Sequence, residues 1–180
     1  MVTIDLERDG DAPAIEGILD EGFGPERHRK TAQRLRKGQT PVLALVARDA
    51  GRLIGTLRFW SVRIGKCHRA LLLGPVAVAK DWRGRGVGGW LINTGLARVQ
   101  AMGHRAVILV GDAPYYGRFG FSTALTEGMT LPGPVDRARF LGLELEDGAL
   151  AGVVGRVAAN PEVKSSPRQQ RRMTKRVRAA

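Results

Sequence analysis

DWRGRGVGGW, residues 81–90, sets four glycines and the arginines Arg83 and Arg85 between an apolar run and a helical pattern. At a strand-to-helix junction the first backbone N–H groups of the helix have no intrahelical partner, and the helix dipole is positive there. Glycine removes the Cβ atoms that would hold an anion away from those groups, and two guanidinium groups stand beside them. The stretch therefore predicts a loop that holds a phosphate or diphosphate.

Downstream, residues 89–104 carry apolar side chains at 91, 92, 96, 99 and 102, a helical stripe closed by Gly103. A buried strand, AVILV (106–110), follows, then the turn-and-helix segment GDAPYYGRFGF (111–121) and two strand candidates, GMTLP (128–132) and RFLGLELED (139–147). Upstream, PVLALVARD (41–49) and RLIGTLRFWSVRI (52–64) read as a hairpin turning at Asp49, Ala50 and Gly51. RALLLGPVAVA (69–79) is a third strand, which Gly74-Pro75 either bulges or ends early. The chain opens with a strand at VTIDLE (2–7) and a helix at residues 11–23 capped by Asp11. A basic surface helix is expected over residues 26–38, either a solvated face or a lure for an acidic substrate. This order is mixed α/β: a largely antiparallel twisted sheet flanked by helices, with one strand–helix–strand crossover at its centre.

The 180 residues suit one domain, expected over 1–160. Residues 161–180 hold seven Lys and Arg against the single acid Glu162, half of the chain's +12, and predict a disordered basic tail. Such a tail either solubilises the protein or touches RNA or another polyanion. Cys67 has no partner for an internal disulfide, and His28, His68 and His104 are too scattered to suggest a metal. The longest apolar run is far too short to span a bilayer, so a cytoplasmic location is expected.

Two readings of the glycine loop compete. Gly84, Gly86 and Gly89 satisfy G-x-G-x-x-G, with Asp112 downstream, which would mean a nicotinamide-dependent oxidoreductase. Against it, AKDW separates the strand from the loop, whereas a dinucleotide-binding turn follows its strand at once. No G-x-x-x-x-G-K-[ST] loop is present. The second reading takes Arg83-x-x-Gly86-x-Gly88 together with Tyr116-x-x-x-Gly120-Phe121. In this order and separation they resemble motifs A and B of the GNAT superfamily of acetyl-CoA-dependent N-acetyltransferases, most sharply over residues 70–121.

The resemblance implies a GNAT-like fold whose central parallel strand pair is splayed at a bulge, with acetyl-CoA as co-substrate and no metal. It places coenzyme-binding groups at Val76, Ala77 and Val78 on the strand and at Arg83, Gly84, Arg85, Gly86, Val87, Gly88 and Gly89 in the loop. Tyr116 becomes the general acid toward the leaving sulfur, and Tyr115 is expected to point elsewhere. The acceptor would be a primary amine of a small molecule or a peptide. Many members carry a glutamate on the strand that here reads CHRALLLGPVAV, which has no carboxylate. Asp112 is the candidate base, although the position also suits a helix N-cap, and His68 and Glu127 are weaker candidates. A non-catalytic, RNA-associated protein with the same fold is the alternative.

Overall fold

The computed structural model describes residues 1–160; the expected basic tail, 161–180, lies outside the described residues. The chain begins with β1 (Val2–Leu6) and α1 (Ala12–Phe23), then α2 (Thr31–Arg36), β2 (Leu43–Asp49), β3 (Arg52–Ile64) and β4 (His68–Val78). After the glycine loop come α3 (Val87–Ala101), β5 (Ala106–Val110), α4 (Ala113–Gly117), β6 (Met129–Thr130), β7 (Phe140–Glu144) and β8 (Gly155–Ala159). The sheet runs β1-β2-β3-β4-β5-β7, antiparallel along this path except for the parallel β4–β5 pair, which α3 connects; off it, β8 pairs β3 antiparallel and β6 pairs β8 in parallel.

The β2–β3 hairpin turns through Ala50 (φ 45) and Gly51 (φ 84), the two left-handed residues that a tight turn matched to strand twist requires. On β4, Leu73 faces Phe59 and Val76 faces Leu57, so Gly74 and Pro75 together oppose Arg58 alone. The bulge is thus where proline, which has no N–H to give, interrupts the ladder. Trp60 fixes it by donating its indole N–H to the Gly74 carbonyl, at 2.6 Å.

α3 covers one face of the sheet. Val87, Leu91, Ile92, Leu96 and Val99 are buried against Leu57, Phe59, Leu71, Leu73, Val107 and Leu109. Five such side chains contribute on the order of 10 kcal/mol of gross hydrophobic stabilisation. Gly95 lets the helix approach, since a Cβ there would lie 2.8 Å from the Phe59 ring. The helix ends at Gly103, which donates to Gln100 O while His104 donates to Val99 O, the paired bonds of a left-handed C-terminal cap. On the opposite face, Ile15, Ile18 and Leu19 of α1 pack on Val46, Leu53 and Ala77, and Leu35 of α2 packs with Trp60, Leu72, Ile108 and Phe140.

Several elements depart from expectation. Residues 26–38 do not form one helix: a 3₁₀ segment, Pro25–Arg29, is separated from α2 by Lys30 in extended conformation (ψ 144). Arg27 is drawn back to Glu16 and Asp20 on α1, whereas Thr31 and Arg34 bond the carbonyls of Pro134 and Pro132, so two anchors pull on the two halves. Asp11 does not cap α1; its carboxylate accepts from Arg8 N (2.8 Å) and pairs with Arg48 (2.5 Å). β8 was not anticipated, because GRVAA has one strongly apolar residue, Val157, and its strand character comes from pairing with Val62–Ile64 of β3. Among the described residues no helix is long and apolar enough to cross a membrane.

Candidate active site

β4 and β5 pair only at Leu71–Val107 and Leu72–Ile108. Beyond these the bulge carries β4 away, while β5 continues to pair with β7 on its other side. A wedge therefore opens between the two parallel strands. Ala79 donates its N–H to Ile54 O of β3 (2.9 Å), and peptide groups alternate along a strand. Ala77 accordingly turns its main-chain groups to β3, opposite Thr56. Val76 and Val78 present theirs to the wedge. Of the three residues expected to offer main-chain groups, two face the opening. The Val78 carbonyl already accepts from Arg83 Nε at 3.0 Å.

The glycine loop closes the wide end of the wedge. Gly84 (φ 76) and Gly86 (φ 82) are left-handed, which a residue with a Cβ rarely adopts. The bond closing the first turn of α3 runs from Trp90 N to Gly86 O at 3.0 Å, so the N–H groups of Val87, Gly88 and Gly89 precede any intrahelical partner. They open into a cleft of about 550 Å³ walled by Val78, Trp82, Arg83, Tyr115, Arg118 and Phe119. Arg85 stacks over Trp82 at 5.1 Å and Arg118 over Tyr115 at 4.6 Å. The Tyr115 hydroxyl lies so near α3 that a Cβ on Gly88 would meet it at 2.9 Å. Tyr115, expected to point elsewhere, is a wall of this cleft, as are Trp82, Arg118 and Phe119. On helical geometry, residues 115, 118 and 119 share a face, which is the signal that could have found them.

Tyr116 leaves α4 on a different side. Its ring lies on Gly111, edge-on to Tyr115 (5.0 Å) and Phe121 (5.9 Å). Burial, and after it the neighbouring Tyr115, push its phenol up to about 12, while Arg139 and Arg36 pull the other way. Asp112 is the N-cap of α4: its Oδ2 accepts from Tyr115 N at 3.1 Å. His68, the first residue of β4, pairs with Ile64 and lies six residues from the bulge, about 20 Å at strand rise. Glu127 lines a separate depression with Thr123, Arg137 and Ala138.

Arg36, at the end of α2, was not singled out within the basic segment. Its guanidinium reaches the bulge, with Nη2 3.3 Å from where a Gly74 Cβ would be. Its Nε is closed off from solvent without a hydrogen-bond partner, and burial, followed by nearby Arg58, lowers its pKa to about 10.

Residues 3–124 match the family model described as Acetyltransferase (GNAT) domain. The chain is 34% identical over 149 residues to the Escherichia coli (strain K12) protein called uncharacterized N-acetyltransferase YhbS, covering 82% of this chain and 89% of that one. It is 32% identical over 139 residues to uncharacterized N-acetyltransferase YjhQ of the same strain, covering 74% and 77%. Among solved structures, the E. coli YhbS complex with CoA superposes with a TM-score of 0.77 at 32% identity, covering 88% and 89% of the two chains. A GNAT family acetyltransferase from Brucella melitensis in complex with acetyl-CoA gives 0.69 at 30% identity, covering 89% and 96%.

Proposed function

Because this chain belongs to the GNAT acetyltransferases and is an acyltransferase, we propose that it moves an acetyl group from acetyl-CoA to a primary amine by direct attack. The observation that carries the reading is the wedge between β4 and β5, which opens onto the unpaired amides of α3. The residues fit the coenzyme: three helix-terminal N–H groups, two of them from glycines, suit its diphosphate. Val76 and Val78 offer strand-like main-chain partners to the amide-bearing arm. Arg83 lines the cleft wall, its charge shared with Glu21 at 3.7 Å, and Arg85, held on Trp82, adds charge from the side.

In the transfer a C–N bond replaces the C–S bond, and one proton travels from nitrogen to sulfur. Tyr116 donates a hydrogen bond to the sulfur as charge develops there. Its phenol, at about 12, is a weaker acid than a thiol of pKa about 8.5, so complete loss of its proton is uphill by roughly 5 kcal/mol. Tyr116 therefore works by keeping hold of its proton until the acceptor nitrogen releases one to replace it. The main-chain N–H groups of Val76 and Val78, which face the wedge, polarise the thioester carbonyl. Asp112 serves by holding α4, and with it Tyr116, in place. Among the described residues none of the candidate bases is both uncommitted and near the wedge, so the amine enters already neutral or gives up its proton through water.

The test is a pair of measurements. Acetyl-CoA raises the melting temperature through binding to the native state, while NAD(P) leaves it unchanged. Free thiol then accumulates in proportion to acceptor amine. Equal indifference to acetyl-CoA and NAD(P) removes the reading.

A further inference from the structure

The basic segment 26–38 contains six Lys and Arg residues, and five are accounted for locally or by solvent. Arg27 pairs with Glu16 and Asp20, Arg29 with Glu26, Lys30 lies over the Phe23 ring, Arg34 bonds Pro132 O, and Lys37 is exposed. Arg36 alone is half-buried without a hydrogen-bond or ion-pair partner among the described residues. No carboxylate among the described residues pairs with it, and its Nε is a buried donor with nothing to bond. Neighbouring Arg58 is neutralised by Glu7 through two bonds of 2.8 and 2.7 Å, so Glu7 is not free for Arg36.

A half-buried guanidinium with no counter-charge carries a desolvation cost that an anion bound beside it would offset. α2 holds this one firmly, with Leu35 2% exposed and Thr31 and Arg34 tied to the 132–134 loop. The group points at the bulge that opens the wedge and shares its surroundings with Tyr116. Resting on the acyltransferase reading above, the geometry points to an acceptor that carries a carboxylate beside its amine, with Arg36 gripping that carboxylate at the β4 bulge. A planar two-oxygen anion matches the outer edge of the guanidinium fork, the two terminal nitrogens, whose bonding the buried Nε would register. The same cation also favours an amine that enters neutral. An ammonium ion is repelled by Arg36 and Arg139, which favours the neutral amine, whereas the carboxylate offsets that repulsion for the molecule as a whole.

Matched sets of acceptors test this: amino carboxylates of several chain lengths, their primary amides, and the amines lacking the carboxylate. In the wild type, kcat/KM is expected to favour the best carboxylate over its amide by about 30-fold. Arg36→Gln loses about that factor on the carboxylate and changes the amide and amine by less than about 3-fold, and Arg36→Lys restores part of it. Removing an unpaired, half-buried charge also leaves the melting temperature of Arg36→Gln equal or higher, where a structural arginine would lower it. A second measurement needs no turnover: in the protein–CoA complex, the amino carboxylate shifts an arginine Nε–H NMR signal that is missing in Arg36→Gln, and the amide does not. A wild type that prefers uncharged amines, an Arg36→Gln variant that weakens all three acceptors equally, or an unmoved Nε–H signal overturns the proposal. A melting-temperature rise with acetyl-CoA alongside any of these results leaves the acyltransferase reading standing; its absence removes that reading instead.

Discussion

Replacing Gly111 with alanine tests whether the position of the Tyr116 ring matters to the chemistry. Gly111 is not among the left-handed glycines, so alanine suits its backbone, and its N–H can still donate to Arg139 O (2.9 Å). The added Cβ, however, would stand 2.3 Å from Tyr116 Cε2 and 2.7 Å from Cδ2. Carbon atoms settle at about 3.5–4.0 Å, so the ring must retreat by roughly 1.5 Å. A displacement of about 1 Å at a reacting group costs on the order of 10²-fold in rate. Thiol release at saturating acetyl-CoA is therefore expected to fall about 10²-fold in Gly111→Ala, with acetyl-CoA affinity changed by less than about 3-fold, since the amides of α3 are untouched. Overpacking costs about 1–3 kcal/mol of stability, read separately by urea unfolding. The double variant with Tyr116→Phe decides the matter: if Gly111 acts through Tyr116, the second change adds almost nothing to the first. Turnover within about 3-fold of wild type, or losses that multiply in the double variant, refutes the reasoning.

Tyr116→Phe alone is expected to keep acetyl-CoA affinity and lose about 10²-fold in kcat; an acid with a pKa of about 12 stays protonated through neutral pH, so kcat shows no fall assignable to it until about pH 11, and a Tyr116-dependent fall near pH 9 contradicts the assignment. Gly88→Val puts carbon between the α3 amides and the cleft and is expected to weaken acetyl-CoA binding by about 30-fold in calorimetry; an unchanged Kd removes the helix terminus from the coenzyme site. The Arg48 guanidinium, bonded to Asp11, holds that carboxyl below its ordinary value against the opposing effect of burial. Asp11→Asn is therefore expected to cost about 2 kcal/mol at pH 7. That contribution is fully present above the ordinary carboxylate pKa and is lost as pH falls through the lowered one, so wild type and variant converge in acid; a gap unchanged from pH 7 to pH 2 contradicts the pairing.

The crossover and its loop were legible because local rules agree there. Glycines at Gly84 and Gly86 supply left-handed backbone, a stripe of apolar residues follows, and Gly103 ends the helix. The bulge at Gly74-Pro75 was legible because proline's missing N–H has few other remedies in a strand. What failed depended on partners remote in sequence. Asp11 sits where a cap belongs, but Arg48, 37 residues away, claims its carboxylate. β8 is a strand because β3 has an open edge at Val62–Ile64. Residues 26–38 break at Lys30 because Arg27 answers to α1 while Thr31 and Arg34 answer to the 132–134 loop.

The consecutive tyrosines show how far the motif itself reaches. A helix rotates about 100° per residue, so Tyr115 and Tyr116 must look in different directions, and the sequence specifies only that they differ. Gly88 and Gly111 decide the assignment: each lacks the Cβ that would collide with one tyrosine, the Tyr115 hydroxyl at Gly88 and the Tyr116 ring at Gly111. One short helix thereby serves two places, the cleft at the amides of α3 and the neighbourhood of Arg36 at the bulge. Arg36 escapes detection for the opposite reason. Nothing local distinguishes it from the other cations of its segment, and its character comes from what surrounds it: an open strand edge, a phenol that keeps its proton, and no carboxylate among the described residues to pair with it.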